Sequence, residues 1–159
     1  QNSSSRKDCS TSILINILMG TRRKAREAAL QFLFQEDFCD KEPLDLNELE
    51  QHLEMFCSLY QVNRKAREYT AELLEKTLRN RNHIDDLIRQ SAKNWRLERI
   101  AYTDRNILRI AVCEMVYSPE VAHQVAINEA VEIAKRFGSE DSPPFVNGIL
   151  DAVHKSLHQ

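Results

Sequence analysis

A chain of 159 residues is long enough to bury its own hydrophobic core without disulfide or metal staples. Its 22 basic and 24 acidic side chains leave a net charge of -2, which excludes a uniformly basic nucleic-acid binder and leaves room for a local basic patch. Only three glycines and four prolines punctuate the chain, and its long stretches of Ala, Leu, Glu, Lys and Arg predict an all-α fold, a compact bundle of six or seven helices.

No run of about 18 apolar residues is present, so no membrane span is expected. Cys9, Cys39, Cys57 and Cys113 form no C-x-x-C pair, and reduced thiols in a cytoplasmic protein are the expected state. Residues 1–18 are Ser/Thr/Asn-rich apart from a short apolar patch. That patch is interrupted by Asn16 and lacks a small-x-small cleavage site, which argues against a signal peptide. The expectation is a disordered or artificially added leader, with residues 19–159 forming a single all-α domain.

From Thr21 the spacing of Ala25, Ala28, Ala29, Phe32 and Leu33 predicts a first helix to about Phe38. After the linker CDKEPLDL, a second helix places Leu49, Leu53, Phe56 and Tyr60 on one side. A third follows with Ala66, Tyr69, Leu73 and Leu74 inward, and a fourth with Ile84, Leu87, Ile88 and Trp95. Thr103 or Asp104 is the expected cap of the next helix, whose apolar face is Ile107, Leu108, Ile110, Ala111 and Met115, with Arg105 and Arg109 on another ridge. In VAINEAVEIAKRFG, Ala126, Ala130, Ile133, Ala134 and Phe137 are expected inside, and Gly138 at a C-cap with positive φ. Ser142 followed by Pro143 predicts the start of a last helix through Val146, Ile149, Leu150 and Val153. Nothing alternates with period two long enough for a strand.

Catalysis is not expected. The histidines at 52, 83, 123, 154 and 158 match no H-E-x-x-H pattern and read as exposed helix or loop residues. Glycines at only 20, 138 and 148 leave no phosphate loop, and no G-x-S-x-G or S-x-x-K motif is present. Glu129 and Glu132 read as members of a solvated helix face. Neither a metal nor a cofactor is expected.

The stretch GTRRKAREAALQFLF carries the sharper signal. Arg22, Arg23, Lys24 and Arg26 fall in the first turn and a half of the expected helix, where the dipole disfavours each cation by roughly 0.3–1 kcal/mol. A bound polyanion reverses that balance; a plain solvated terminus is the alternative. Arg26, Leu30 and Phe34 follow one ridge at i, i+4, i+8, so a cation for the backbone and a ring for a base can share a face. The alternative for Phe34 is core beside Leu33.

RRKAREAALQFLF, DRNILRIAVCEM and VAINEAVEIAKRFGSEDSPPFVNGILD together resemble the NusB family of bacterial transcription antitermination factors, from about Thr21 to His154. The resemblance implies two small helical bundles packed on each other, without catalysis. It also implies binding of single-stranded boxA RNA in nascent ribosomal RNA transcripts, together with the ribosomal protein NusE, and delivery to RNA polymerase. Carried onto this sequence, Arg22, Arg23, Lys24 and Arg26 meet RNA phosphate, while Phe34 and Phe145 are the aromatics of the RNA face. Asp141 and Ser142 flank Phe145, and Lys135 and Arg136 are nearby cations beside a Pro143-Pro144 pair that departs from the family's polar loop. Glu98, Asp104, Arg105 and Arg109 fall on the NusE side. Some family members pair through the RNA face, and the resemblance implies a homodimer as one form of assembly. Two other readings remain: the RNA-binding module of a ribosomal RNA cytosine methyltransferase, which the absence of a following Rossmann half disfavours, and a helical adaptor without RNA.

Overall fold

A computed structural model describes residues 5–38, 42 and 44–159, with side chains from Gly20 onward. The described residues form seven α-helices and one 3₁₀ turn, with no strand among them, as the composition predicts. α1 spans Ser5–Phe38, α2 Leu49–Leu59, α3 Arg64–Arg79, α4 Arg81–Ser91, α5 Tyr102–Tyr117, α6 His123–Phe137 and α7 Ser142–Leu157. The 3₁₀ turn Leu97–Arg99 leads into α5.

α5 explains the architecture. Every residue from Asn106 to Met115 is buried, so this helix has no solvent face and must be wrapped by others. α1 and α3 pack on one side of it, and α4, α6 and α7 on the other. The first group, with α2 on α3, and the second are the two small bundles, and α5 belongs to both cores. Leu108, Val112 and Cys113 at its centre are fully excluded from water.

Local chemistry sets the ends. Asn63 caps α3 by accepting the Lys65 N–H at 2.9 Å, and Lys76 and Arg79 in its last turn complement the helix dipole. α2 closes with the Val62 N–H donating to the Cys57 carbonyl at 3.0 Å, a turn in which Gln61 takes φ of 50° where glycine is usual.

Several expectations are corrected. α1 begins at Ser5, not Thr21; the basic run is therefore helix interior, and the argument from an opposed N-terminal dipole does not apply to it. The reading of residues 1–18 as a leader concerns side chains outside the described residues, as do Cys9 and Cys39 and much of the CDKEPLDL linker. Among the described cysteines, Cys57 and Cys113 are free and buried. Burial pushes both thiols up, Cys113 to about 11. The N-cap of α5 is Ala101, and neither Thr103 nor Asp104 caps it. Tyr60, Trp95 and Phe137, expected inside, are exposed.

Gly138 is a glycine for a different reason than expected. Its φ is -90° and its ψ -171°, an extended conformation open to any residue. What excludes a side chain is proximity: a Cβ there would lie 2.5 Å from Ser142 Cβ and 2.8 Å from the Ala134 carbonyl oxygen. The N-cap of α7 is Asp141 rather than Ser142. Ser142 lies one position further in, buried, and accepts the Ser139 N–H at 2.9 Å, which closes the loop from α6. Gly138→Ala is therefore expected to lower stability by about 1–3 kcal/mol through overpacking. Thermal unfolding checks this, and an unchanged midpoint would show that the loop yields.

Candidate functional site

The basic stretch of α1 divides between interior and surface. Arg26 is only 3% exposed and makes two parallel hydrogen bonds to Glu114 of α5, at 2.7 and 2.8 Å. Tyr69 of α3 donates its hydroxyl to the same carboxylate at 2.6 Å. Glu129 of α6, buried, lies 3.6 Å from Arg26 and receives a second fork from Arg23 at 2.8 Å. Arg22 stacks over the Tyr69 ring at 4.9 Å.

Burial works against the Arg26 charge, but the hydrogen bonds and attraction of Glu114 outweigh it and raise its pKa. Burial first, and Glu114 after it, push the Tyr69 hydroxyl far up, so it stays a donor. The reading of Glu129 as part of a solvated face is corrected, since it is a buried counter-ion; Glu132 is exposed and pairs with Lys135 at 2.8 Å.

Arg109, also expected at a surface, is likewise interior. It is 4% exposed and forks onto Asp85 of α4 at 2.8 and 3.1 Å. Asp37 near the end of α1 faces Arg81, Arg105 and Arg109 at 3.5, 3.3 and 3.6 Å and accepts from Asn106 at 2.8 Å. These charges tie α1, α4 and α5 together. Burial and the neighbouring Arg109 charge lower the Arg81 pKa.

Two surface grooves hold six of the remaining candidates, Lys24, Phe34 and Arg136 in one and Asp104, Asp141 and Phe145 in the other. A cavity of about 260 Å³ is lined by Glu27, Leu30, Gln31, Phe34, Thr103 and Phe137. It continues, through Glu27, Gln31 and Phe137, into a wider one of about 580 Å³ that adds Lys24 and Arg136. Phe34 is half-buried and touches Phe38 and Tyr102, with ring centroids 5.2 and 6.5 Å away. Arg136 reaches Glu27 at 3.0 Å and lies 5.1 Å over the Phe137 ring.

The second groove, about 390 Å³, is lined by Trp95, Arg99, Ile100, Ala101, Asp104, Asp141 and Phe145. Trp95 and Phe145 meet edge to face at 5.5 Å. The structure thus places Phe145 and Asp141 beside Asp104, in a groove separate from Lys24 and Phe34. The first turn of α5 stands between the grooves, Thr103 lining one and Asp104 the other, and no side chain caps it. Glu98 is exposed on the 3₁₀ turn and pairs with Arg89 at 3.4 Å.

Phe137 and Trp95 escape sequence reasoning as surface residues because helical spacing or mere proximity to a helix assigns them to the core. Asp37, Asp85 and Asn106 carry no sequence signal, since their role is defined by arginines on other helices.

An all-α protein of two bundles with paired surface grooves and no membrane-length apolar helix among its described residues is the class that emerges. The chain belongs to the NusB family, whose model matches residues 23–155. It is 53% identical over 141 residues to the transcription antitermination protein NusB of Desulfotalea psychrophila, covering 89% of this chain and 99% of that one. It is 43% identical over 136 residues to the transcription antitermination protein NusB of Bacillus mycoides, covering 86% of this chain and 98% of that one. Among solved structures it superposes on T. maritima NusB with a TM-score of 0.73 at 40% identity, over 84% of this chain and 90% of that one. A structure of the antitermination factors NusB and NusE in complex with dsRNA matches with a TM-score of 0.73 at 25% identity, over 87% and 98%.

The buried and the exposed arginine of α1 predict different costs. Arg26→Ala leaves Glu114 charged and without its fork, and is expected to lose about 3–5 kcal/mol. Arg23→Ala takes the fork from the buried Glu129 but leaves it beside Arg26, and is expected to cost less, about 1–3 kcal/mol. Urea unfolding of the two variants measures the contrast, and equal losses would place the stabilisation elsewhere.

Proposed function

We propose that this chain is a transcription antitermination factor of the cytoplasm that binds single-stranded boxA-type RNA together with NusE and carries both to RNA polymerase. Residues 19–159 are its single RNA-binding domain, and it acts by binding, without catalysis or a cofactor. The observation that carries the reading is the continuous groove in which the cations Lys24 and Arg136 flank the rings Phe34 and Phe137. Family membership and the solved complex of NusB and NusE with dsRNA support the NusE and RNA parts of the reading, while its single-stranded part rests on the rings Phe34 and Phe137.

Roles follow from exposure. Lys24, Arg136, Arg23 and Arg22 contact phosphates, with Lys135 as an outlying cation, and Phe34 and Phe137 stack against splayed bases. Arg136 is held in advance by an exposed pair with Glu27, and such pairs contribute so little that a phosphate displaces the carboxylate readily. Phe145 with Trp95 offers a second stacking edge, where Asp141 accepts from base amino groups. Arg26 and Ser142 are positioning residues, one fixing the register of α1 and the other the loop before α7.

NusE docks at the α5 entrance, on Glu98, Asp104 and Arg105. Arg105 Nε and Asp104 Oδ1 are buried there without a hydrogen-bond partner. Arg109 supports that surface from below through Asp85.

Fluorescence anisotropy with boxA and scrambled RNA, with and without NusE, tests the proposal. BoxA is expected to bind preferentially and NusE to tighten it. Phe34→Ala is expected to cost about 1–3 kcal/mol of RNA affinity. Lys24→Ala is expected to weaken binding and flatten the salt dependence by about 0.7 in log–log slope for each phosphate it ceases to neutralise. Equal binding of both RNAs with NusE present would reject the reading.

A further inference from the structure

Three histidines meet where α7 ends and α6 begins, away from both grooves. His154 and His158 stand four residues apart at the end of α7, a spacing that puts them on one side of the helix. Reading the histidines as unrelated exposed residues overlooks that spacing, and no sequence signal adds His123, the first residue of α6. His123 Nδ1 lies 2.9 Å from His154 Nδ1. The three rings sit 4.4, 5.1 and 5.2 Å apart, centroid to centroid. One nitrogen from each ring can be chosen so that all three lie within 4.8 Å of one another.

A hydrogen bond between two neutral imidazoles accounts for the 2.9 Å pair alone. The four-residue spacing brings the third ring to the same spot, so three imidazoles converge there. Zinc binds imidazole nitrogen at about 2.0–2.1 Å, so ligand nitrogens of a tetrahedral site lie about 3.3 Å apart. The separations here bracket that value, and His158 is exposed at the end of its helix, free to swing the remaining distance. His123 and His154 are half-buried, which holds two ligands in place before the metal arrives. The C-terminal end of α7 favours a cation and the N-terminal end of α6 opposes it, so the helix dipoles roughly cancel and binding rests on the imidazoles.

We propose that His123, His154 and His158 form a binding site for one divalent first-row transition-metal ion of the zinc class, with the fourth position left to water. All-imidazole donors suit zinc, copper and nickel and disfavour magnesium and calcium. A bound ion bridges α6 to the end of α7 and stabilises their pairing.

Calorimetric titration of Zn²⁺ into the full, reduced and chelator-free chain tests the site. One ion per chain is expected. His154→Ala and His158→Ala are each expected to weaken binding about tenfold or more, while His83→Ala leaves it unchanged. His158 is exposed, so its variant keeps the fold and decides the matter if His154→Ala unfolds. Co²⁺ is expected to give ligand-field bands without a sulfur-to-metal charge-transfer band, which separates histidine from cysteine ligation. Absence of stoichiometric binding, wild-type affinity in His158→Ala, or a thiolate band would overturn the proposal.

Discussion

The Arg26–Glu114 fork is the contact on which the rest of this structure depends. A guanidinium and a carboxylate removed from water lose several kcal/mol of hydration each, and geometry alone decides whether their attraction compensates. Here the geometry is specific: two parallel hydrogen bonds, the Tyr69 hydroxyl on one remaining lone pair, and Glu129 beside the guanidinium. These four residues come from α1, α5, α3 and α6, so a single charge constraint sets the mutual position of four helices. A rotation of α1 that turned Arg26 out would bury Lys24 or Glu27 in its place, without the fork that Glu114 offers a guanidinium. The same constraint therefore aims Lys24 and Phe34 at the groove, two residues before and eight after the buried arginine. Surface chemistry on α1 is set from inside.

Helical content and core composition are legible in the sequence because they are local properties. Ala25, Ala29, Leu73, Leu74, Ile84 and Ile88 repeat at helical spacing, and all are buried. Arg26 is not legible. Its partner lies 88 residues away, and a cation on a ridge with Leu30 and Phe34 gives no sign of whether the ridge faces water. The opening of α1 misleads for a related reason. A Ser/Thr/Asn-rich stretch has weak intrinsic propensity, yet the helix runs through it from Ser5, because elongation of an established helix costs far less than nucleation. Phe137 shows the converse limit: it fits the apolar period of α6, and lies at the end of the helix, where it stays exposed. Of the candidate site, the cations and Phe34 and Phe145 are legible through family motifs. Their division into two grooves is not, since it depends on how α5 enters the core.

The two charge networks divide the arginines by function. Arg26 and Arg109 are partnered inside, one holding α1, α3 and α6 to α5 and the other holding α4. Asp37 adds a third link, between the end of α1 and the start of α5, where Arg105 also covers the Tyr102 ring at 4.8 Å. That corner matters because Tyr102, Thr103 and Asp104 separate the grooves. A buried helix that surfaces at its first turn makes a rigid divider, since the ten residues from Asn106 to Met115 beyond it are packed on all sides.

Rigidity of this kind bears on affinity and selectivity in opposite ways. The grooves need no ordering before a ligand enters, which spares the entropy that a loop-built site loses on binding. Yet the chain carries more acid than base overall, and the Glu27 carboxylate lies beside Arg136 in the groove itself. That pair is weak and yields to a phosphate, but the cations lining the groove are two, Lys24 and Arg136. On the proposed reading, such a groove favours ligands whose bases stack on Phe34 and Phe137 over ligands that offer charge alone. Contacts from a second protein docked at the α5 entrance would, on the same reading, raise affinity without relaxing that preference, because that surface lies apart from the aromatic groove.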